Sequence, residues 1–144
     1  FQAIVDINVA LKSHGIPGKP KYLVQKMLTG GKEIIIGGKQ DPAFGPVVLC
    51  GLGGIYAEVL KDVSLRLAPL FFEEAEEMIS TLKGFKYLQG VRGEKGIEIR
   101  KLAEIIVKVS HLMADFPNII EFDLNPVLAF ENDAAIVDAR MILR

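Results

Sequence analysis

One cysteine, two histidines and almost no net charge narrow this 144-residue chain before any motif is read. Cys50 has no partner for an internal disulfide, and its place in an apolar run suits a small buried thiol in a reducing, cytoplasmic setting. Lys and Arg number 17 against 18 Asp and Glu. There is therefore no basic excess to grip a nucleic-acid backbone, which argues against nucleic acid as a partner. The longest uncharged stretch, Pro42 to Ala57, is broken by Gly45, Gly51, Gly53 and Gly54 and falls short of the roughly 20 residues a membrane span needs. No signal peptide is visible. His14 and His111 lack Cys, Asp or His neighbours at metal-ligand spacing, and neither a CxxC nor a Ser-His-Asp arrangement occurs, so covalent catalysis by this chain is not expected. What is present is a composition 50% hydrophobic, enough for a single domain spanning residues 1–144 with a real core.

The element order reads as hairpins alternating with helices. Lys21 to Leu28 and Glu33 to Lys39 read as paired strands joined at Thr29-Gly30-Gly31. The turn Gln40-Asp41-Pro42 leads through Phe44-Gly45-Pro46 to a strand over Val47 to Gly51, and Ser64 to Ala68 is a further short strand closed by Pro69. Helical spacing covers Glu73 to Leu82, ended by Gly84, and Ile97 to Ala114, with Leu102, Ile105, Ile106, Val109, Leu112 and Met113 on one stripe. Ile119 to Phe130 and Ala134 to Ala139 are strand-like. The fold class is α+β, with a mostly antiparallel sheet and helices packed on one face.

The densest chemistry lies in Asp123-Leu124-Asn125-Pro126 and Asp138-Ala139-Arg140. If the intervening loop holds Phe130 to Asp133, antiparallel pairing sets Asp138 opposite Asn125, with Cβ atoms about 5 Å apart. One magnesium ion could touch both, since that ion takes a few protein oxygens and completes its shell with water and nucleotide phosphates. Asp123 shares the face two residues earlier. A loop one residue shorter would turn Asp138 away, and a hairpin with a merely polar solvent face would read the same. Gly51-Leu52-Gly53-Gly54-Ile55-Tyr56-Ala57-Glu58 follows an apolar strand and is either a phosphate cradle or a plain bend; it lacks the Lys-Ser/Thr ending of a P-loop. Gln25, Met27 and Leu28, with Glu33 beyond, are either an adenosine pocket or exposed strand residues.

Taken in order, Tyr22-Leu23-Val24-Gln25, Gly30-Gly31-Lys32-Glu33-Ile34-Ile35-Ile36-Gly37, Asp41-Pro42, Phe44-Gly45-Pro46, Gly51-Leu52-Gly53-Gly54-Ile55, Glu58-Val59-Leu60-Lys61-Asp62-Val63, Arg66-Leu67-Ala68-Pro69-Leu70, Gly90-Val91-Arg92-Gly93 and Asp123-Leu124-Asn125-Pro126 resemble the ATP-grasp domain of ADP-forming acyl-CoA synthetases. Within that family the beta subunits of the acetate type are most similar, and succinyl-CoA synthetase beta chains are more distant. The resemblance implies a ligase that exchanges a phosphoryl group between a phosphohistidine and ADP, with Mg2+ and ATP/ADP as cofactors. It implies Asn125 and Asp138 as magnesium ligands, Glu33 as the ribose-binding carboxylate, and Gln25 with Leu28 as the adenine hinge. Gly53 and Gly54 match the loop approached by the phosphohistidine, and Arg140 a basic residue facing phosphate. A Gly54→Val change is then expected to slow transfer while sparing nucleotide affinity.

Two departures qualify the match. Lys26 stands where an acidic residue is expected. The smaller lobe, with its phosphate-binding lysine and a histidine, is expected upstream of Phe1, as is a CoA-binding subunit or domain carrying the phosphohistidine. The chain is read as the larger lobe of an ATP-grasp fold within a hetero-oligomer or multidomain enzyme, inactive alone. The rival is a non-catalytic ATP-grasp-like module with a regulatory or assembly role, such as part of a protein acetyltransferase.

Overall fold

The computed structural model describes residues 2–54, 61–91 and 93–144. Its chain order is α1 (Gln2–Ser13), β1 (Lys32–Asp41), β2 (Gly45–Leu52), β3 (Val63–Leu67), α2 (Phe72–Ser80), α3 (Phe85–Gln89), α4 (Ile99–Asp115), β4 (Ile119–Ala129), β5 (Ala134–Ile136) and β6 (Ala139–Leu143). Five strands run in the order β3-β2-β1-β4-β5, and β6 also pairs with β4. Every pairing among them is antiparallel.

Strand β1 shows why the sheet has one covered and one open face. Its residues alternate, with Lys32, Ile34, Ile36 and Gly38 buried and Glu33, Ile35, Gly37 and Lys39 pointing the other way. The buried set meets α4, which packs on β1 and β2, while α2 packs on α4 and β3. Ile34, Ile36, Val48, Cys50, Leu102, Ile106 and Met113 are fully sealed there. Each contributes about 1.5–3 kcal/mol of hydrophobic burial for a side chain of Val, Leu, Ile or Met size. Burial also pushes the Cys50 thiol up to about 12, with the Asp62 carboxylate adding to the effect, so this cysteine is inert as anticipated.

Several expectations are corrected. Residues 21–28 form no strand, because both edges of β1 are already taken, by β2 on one side and β4 on the other. Gly30 and Gly31 do take positive φ, 77° and 83°, as the turn before β1 requires. The helix expected to run to Leu82 ends at Ser80 with Thr81 as its cap, and a separate short helix, α3, follows Gly84. Ser110, not among the residues of the expected apolar stripe, is fully buried; its hydroxyl donates to Val107 O and accepts the Leu70 N–H at 3.0 Å. The strand expected over Ala134 to Ala139 ends at Ile136, and a separate strand, β6, begins at Ala139.

The first part of the chain stands apart in character. Helix α1 has no buried residue, and residues 14–31 carry no regular strand or helix. Among the described residues no helix is long and apolar enough to cross a membrane.

Candidate functional site

The open face of the sheet collects the candidate residues, and a bulge in β4 arranges them. Ile34 pairs with Val127 and Ile36 with Leu124, so Asn125 and Pro126 together face the single residue Ile35. Proline suits that place because it has no N–H to give to a ladder, and bulges re-aim side chains. Leu124 and Val127 are consequently both buried although three positions apart, while Asn125 is exposed.

On the outer side of β4, Ala129 pairs with Ala134 and Leu124 with Ala139, so the four-residue loop Phe130 to Asp133 is the one formed. The Phe130 N–H donates to Asp133 O at 2.8 Å across it. In this register Asp138 faces Asn125, whose N–H donates to Asp138 O at 3.3 Å, and Val137 donates to Pro126 O at 3.0 Å. Asp123 pairs with Arg140.

Asp123 is half-buried. Its carboxyl is held above the ordinary value, first by burial, then by Glu121 and with a contribution from Asp138, while Arg140 pulls the other way. Asp138 and Arg140 therefore act electrostatically on one group at this point of the sheet. Among the described residues no group of three or more His, Cys, Asp or Glu forms a metal cage. An amide oxygen, a carboxylate and a nearby second carboxylate fit magnesium, which keeps waters and phosphate oxygens for the rest of its shell.

Glu33 lies on the neighbouring strand, paired with Leu128. From Glu33 to Ile35, opposite the bulge, is about 7 Å along the strand at 3.3–3.4 Å per residue. Gln25 and Leu28 come to the same end. With Leu128, Ala135, Ile136 and Val137 they line a cleft of about 670 Å3. The unpaired segment 21–28 thus still brings its two hinge candidates beside the residue that pairs with Glu33. Leu128 was not singled out from sequence; its signal is an apolar side chain at a position that the bulge turns out of the core.

The glycine run is described only as far as Gly54; Ile55, Tyr56, Ala57 and Glu58 lie outside the described residues, as does Arg92. Gly53 N–H donates to Glu33 O at 2.7 Å. A Cβ on Gly53 would lie 2.9 Å from Glu33 Cβ, and one on Gly54, at φ 59°, would lie 2.8 Å from Glu33 Oε2. Gly53 therefore abuts the backbone and Cβ of Glu33 and Gly54 its carboxylate, so a side chain on Gly54 would have to displace the tip of Glu33. His14 and His111 are exposed and away from these groups.

Two buried charges escaped the sequence reading. Lys32, 7% exposed, donates from Nζ to Tyr87 O, sits 3.8 Å from the Tyr87 ring centroid and 3.9 Å from Glu94, bracing the loop after α3. Asp62, 3% exposed, accepts the Lys83 and Gly84 N–H groups at 2.9 and 2.7 Å.

Relatives carry the same unit. Acetate–CoA ligase (ADP-forming) I of Archaeoglobus fulgidus is 52% identical over 143 residues, covering 99% of this chain and 20% of that protein. The acetate–CoA ligase (ADP-forming) I subunit beta of Pyrococcus furiosus is 52% identical over 121 residues, covering 84% of this chain and 52% of the subunit. The chain thus spans a fifth of the first and about half of the second. Among solved structures, the dinucleotide forming acetyl-coenzyme A synthetase 1 of Ca. Korarchaeum cryptofilum superposes with a TM-score of 0.78 at 42% identity, covering 81% of this chain and 55% of that one. That structure is a complex with coenzyme A and Mg-AMPPCP whose phosphohistidine segment points towards the nucleotide binding site. The family model of the ATP-grasp domain matches residues 4–143, and with these relatives and the one-sided antiparallel sheet beside it, this chain belongs to the ATP-grasp domain family.

Proposed function

We propose that this chain is the Mg-ATP/ADP-binding part of an ADP-forming acyl-CoA synthetase of the acetate–CoA ligase type, exchanging a phosphoryl group between a phosphohistidine and ADP. The observation that carries the reading is the cross-strand pairing of Asn125 with Asp138 beside Asp123. Its partner is a CoA-binding subunit or domain that carries the histidine, and its compartment is the cytoplasm.

In this reading the base lies in the cleft of Gln25, Leu28 and Leu128, and Glu33 accepts hydrogen bonds from the ribose hydroxyls. Asn125 and Asp138 would hold magnesium, whose charge would neutralise the phosphates. In the transfer itself the bond from phosphorus to the histidine nitrogen breaks as a β-phosphate oxygen of ADP bonds to phosphorus. The chain's own residues perform no covalent step; positioning and charge complementarity do the catalysis. Arg140 supplies a permanent positive charge at the metal end, and the half-buried Asp123 an acceptor for a water or a second metal ligand. Gly53 and Gly54 keep the loop low enough for an incoming phosphohistidine.

The test is calorimetric titration of the complete protein with ADP, with and without magnesium. Magnesium-dependent binding supports the reading, and nucleotide binding indifferent to magnesium removes it. Residues 1–144 alone are expected to form no ATP from acetyl-CoA, ADP and phosphate.

A further inference from the structure

Asp62 is buried to 3% exposure, and among the described residues it forms no ion pair. A carboxylate taken out of water costs several kcal/mol unless its oxygens are met. Both are met by backbone, Oδ1 by the Lys83 N–H and Oδ2 by the Gly84 N–H. Its own carbonyl accepts the Leu52 N–H at 3.2 Å. One residue thus joins the end of β2 to the turn before α3.

The surroundings are shaped to this contact. A Cβ on Gly51 would lie 2.9 Å from Asp62 O, and one on Gly84 would lie 3.3 Å from Asp62 Oδ2 and run into Leu52 Cδ1. Only glycine leaves room for so close an approach. Leu52 is followed directly by Gly53, whose N–H is bound to Glu33 O. The glycine run is therefore pinned on both sides, by Asp62 at Leu52 and by Glu33 at Gly53.

We infer that Asp62 is a positioning residue for phosphoryl transfer, fixing Gly53 and Gly54 against Glu33 through Leu52. This rests on the reading of the site as a nucleotide site. A fold brace alone would not need to end beside the glycines, and a misplacement of about 1 Å in such a loop costs on the order of a hundredfold in rate.

The experiment uses Asp62→Asn and Asp62→Ala in the complete enzyme, well below their melting temperatures. Asn keeps the size and one acceptor but presents an amide N–H2 to the other backbone donor. The expected result for Asp62→Asn is a fall of about tenfold or more in phosphoryl exchange at saturating ADP, with KM for ADP held within about threefold. Amide hydrogen exchange should quicken at Leu52, Gly53, Lys83 and Gly84. Lowered melting with an unchanged exchange rate overturns the inference and leaves a fold brace. If Asp62→Ala fails to fold, Asp62→Asn still decides. If the wild-type enzyme exchanges no phosphoryl group, the nucleotide reading falls, and amide exchange decides separately. Quickening that reaches Gly53 then supports the link from Asp62 to the glycine run, and quickening that stops short of Gly53 or spreads over the domain overturns it.

Discussion

The two faces of one strand, β1, are built for opposite purposes. Ile34 and Ile36 vanish beneath α4, whereas Glu33 and Lys39 stand exposed on the other side. The covered face holds the domain together through close packing, and any loss there is felt by the whole fold. The open face does little for stability and carries nearly all of the candidate chemistry. The difference teaches that substitutions one residue apart should fall into separate classes, one read in melting and the other in ligand binding.

The sharpest test of that contrast sets Ile36→Ala against Glu33→Ala. Ile36→Ala should destabilise by about 2–5 kcal/mol, the range for truncating a buried aliphatic side chain. Glu33→Ala should stay within about 0.5 kcal/mol, as exposed positions do, yet weaken ADP binding by about tenfold or more through loss of charge-assisted hydrogen bonds. Chemical denaturation beside calorimetry reads both, and a Glu33→Ala protein with unaltered ADP affinity would break the comparison on its functional side.

Gly54→Val is expected to blur the contrast, because it acts on both properties at once. The φ of 59° disfavours a β-branched residue, and the new Cβ pushes on Glu33 Oε2. Strain of about 1–3 kcal/mol should appear in melting, together with weakened nucleotide binding. Unchanged ADP affinity would mean that the loop and the carboxylate are independent.

Asp138→Asn and Asp133→Asn compare the two ends of a single hairpin. Asp133 sits on the turn, where its Oδ1 accepts the Ala134 N–H, a role asparagine can fill. Magnesium-dependent ADP affinity should fall by at least about tenfold, or 1.4 kcal/mol, for Asp138→Asn, and hold steady for Asp133→Asn. Equal affinities would remove Asp138 from the metal site.

The smallest effect concerns Asp123, half-buried on the open face opposite Gly37. Its pKa in the folded chain is raised above 3.8, chiefly by burial. The protonated acid is therefore the form that folding favours. Its contribution to stability is fully present below the unfolded value and is lost as pH rises through the folded one. Asp123→Asn should gain stability relative to the wild type on going from about pH 3 to about pH 7, with denaturation midpoints at the two pH values as the measure. A gap that narrows as pH rises would contradict the assignment of burial as the main cause.

Local pattern and loop length reach far into this molecule. Alternation in Ile34 to Lys39 and helical spacing in Ile97 to Ala114 are written in consecutive residues, and from them follows the one-sided sheet. The facing of Asn125 and Asp138 was legible only as one of two registers, and the pairing of Ala129 with Ala134 and of Leu124 with Ala139 selected it. The order of motifs likewise sufficed to indicate the ATP-grasp family. Tertiary structure alone decided what depends on competition between segments distant in sequence. Residues 21–28 have strand-like composition, yet β2 and β4 occupy both edges of β1. The bulge at Asn125-Pro126 arises from matching β4 to β1 while keeping both Leu124 and Val127 in the core. Ser110, Lys32 and Asp62 are buried because backbone groups far along the chain, at Leu70, Tyr87 and Lys83-Gly84, come to meet them. The contact of Gly54 with Glu33 has the same origin: it joins the end of one strand to the side chain of another, and no spacing along a single strand encodes a distance across two.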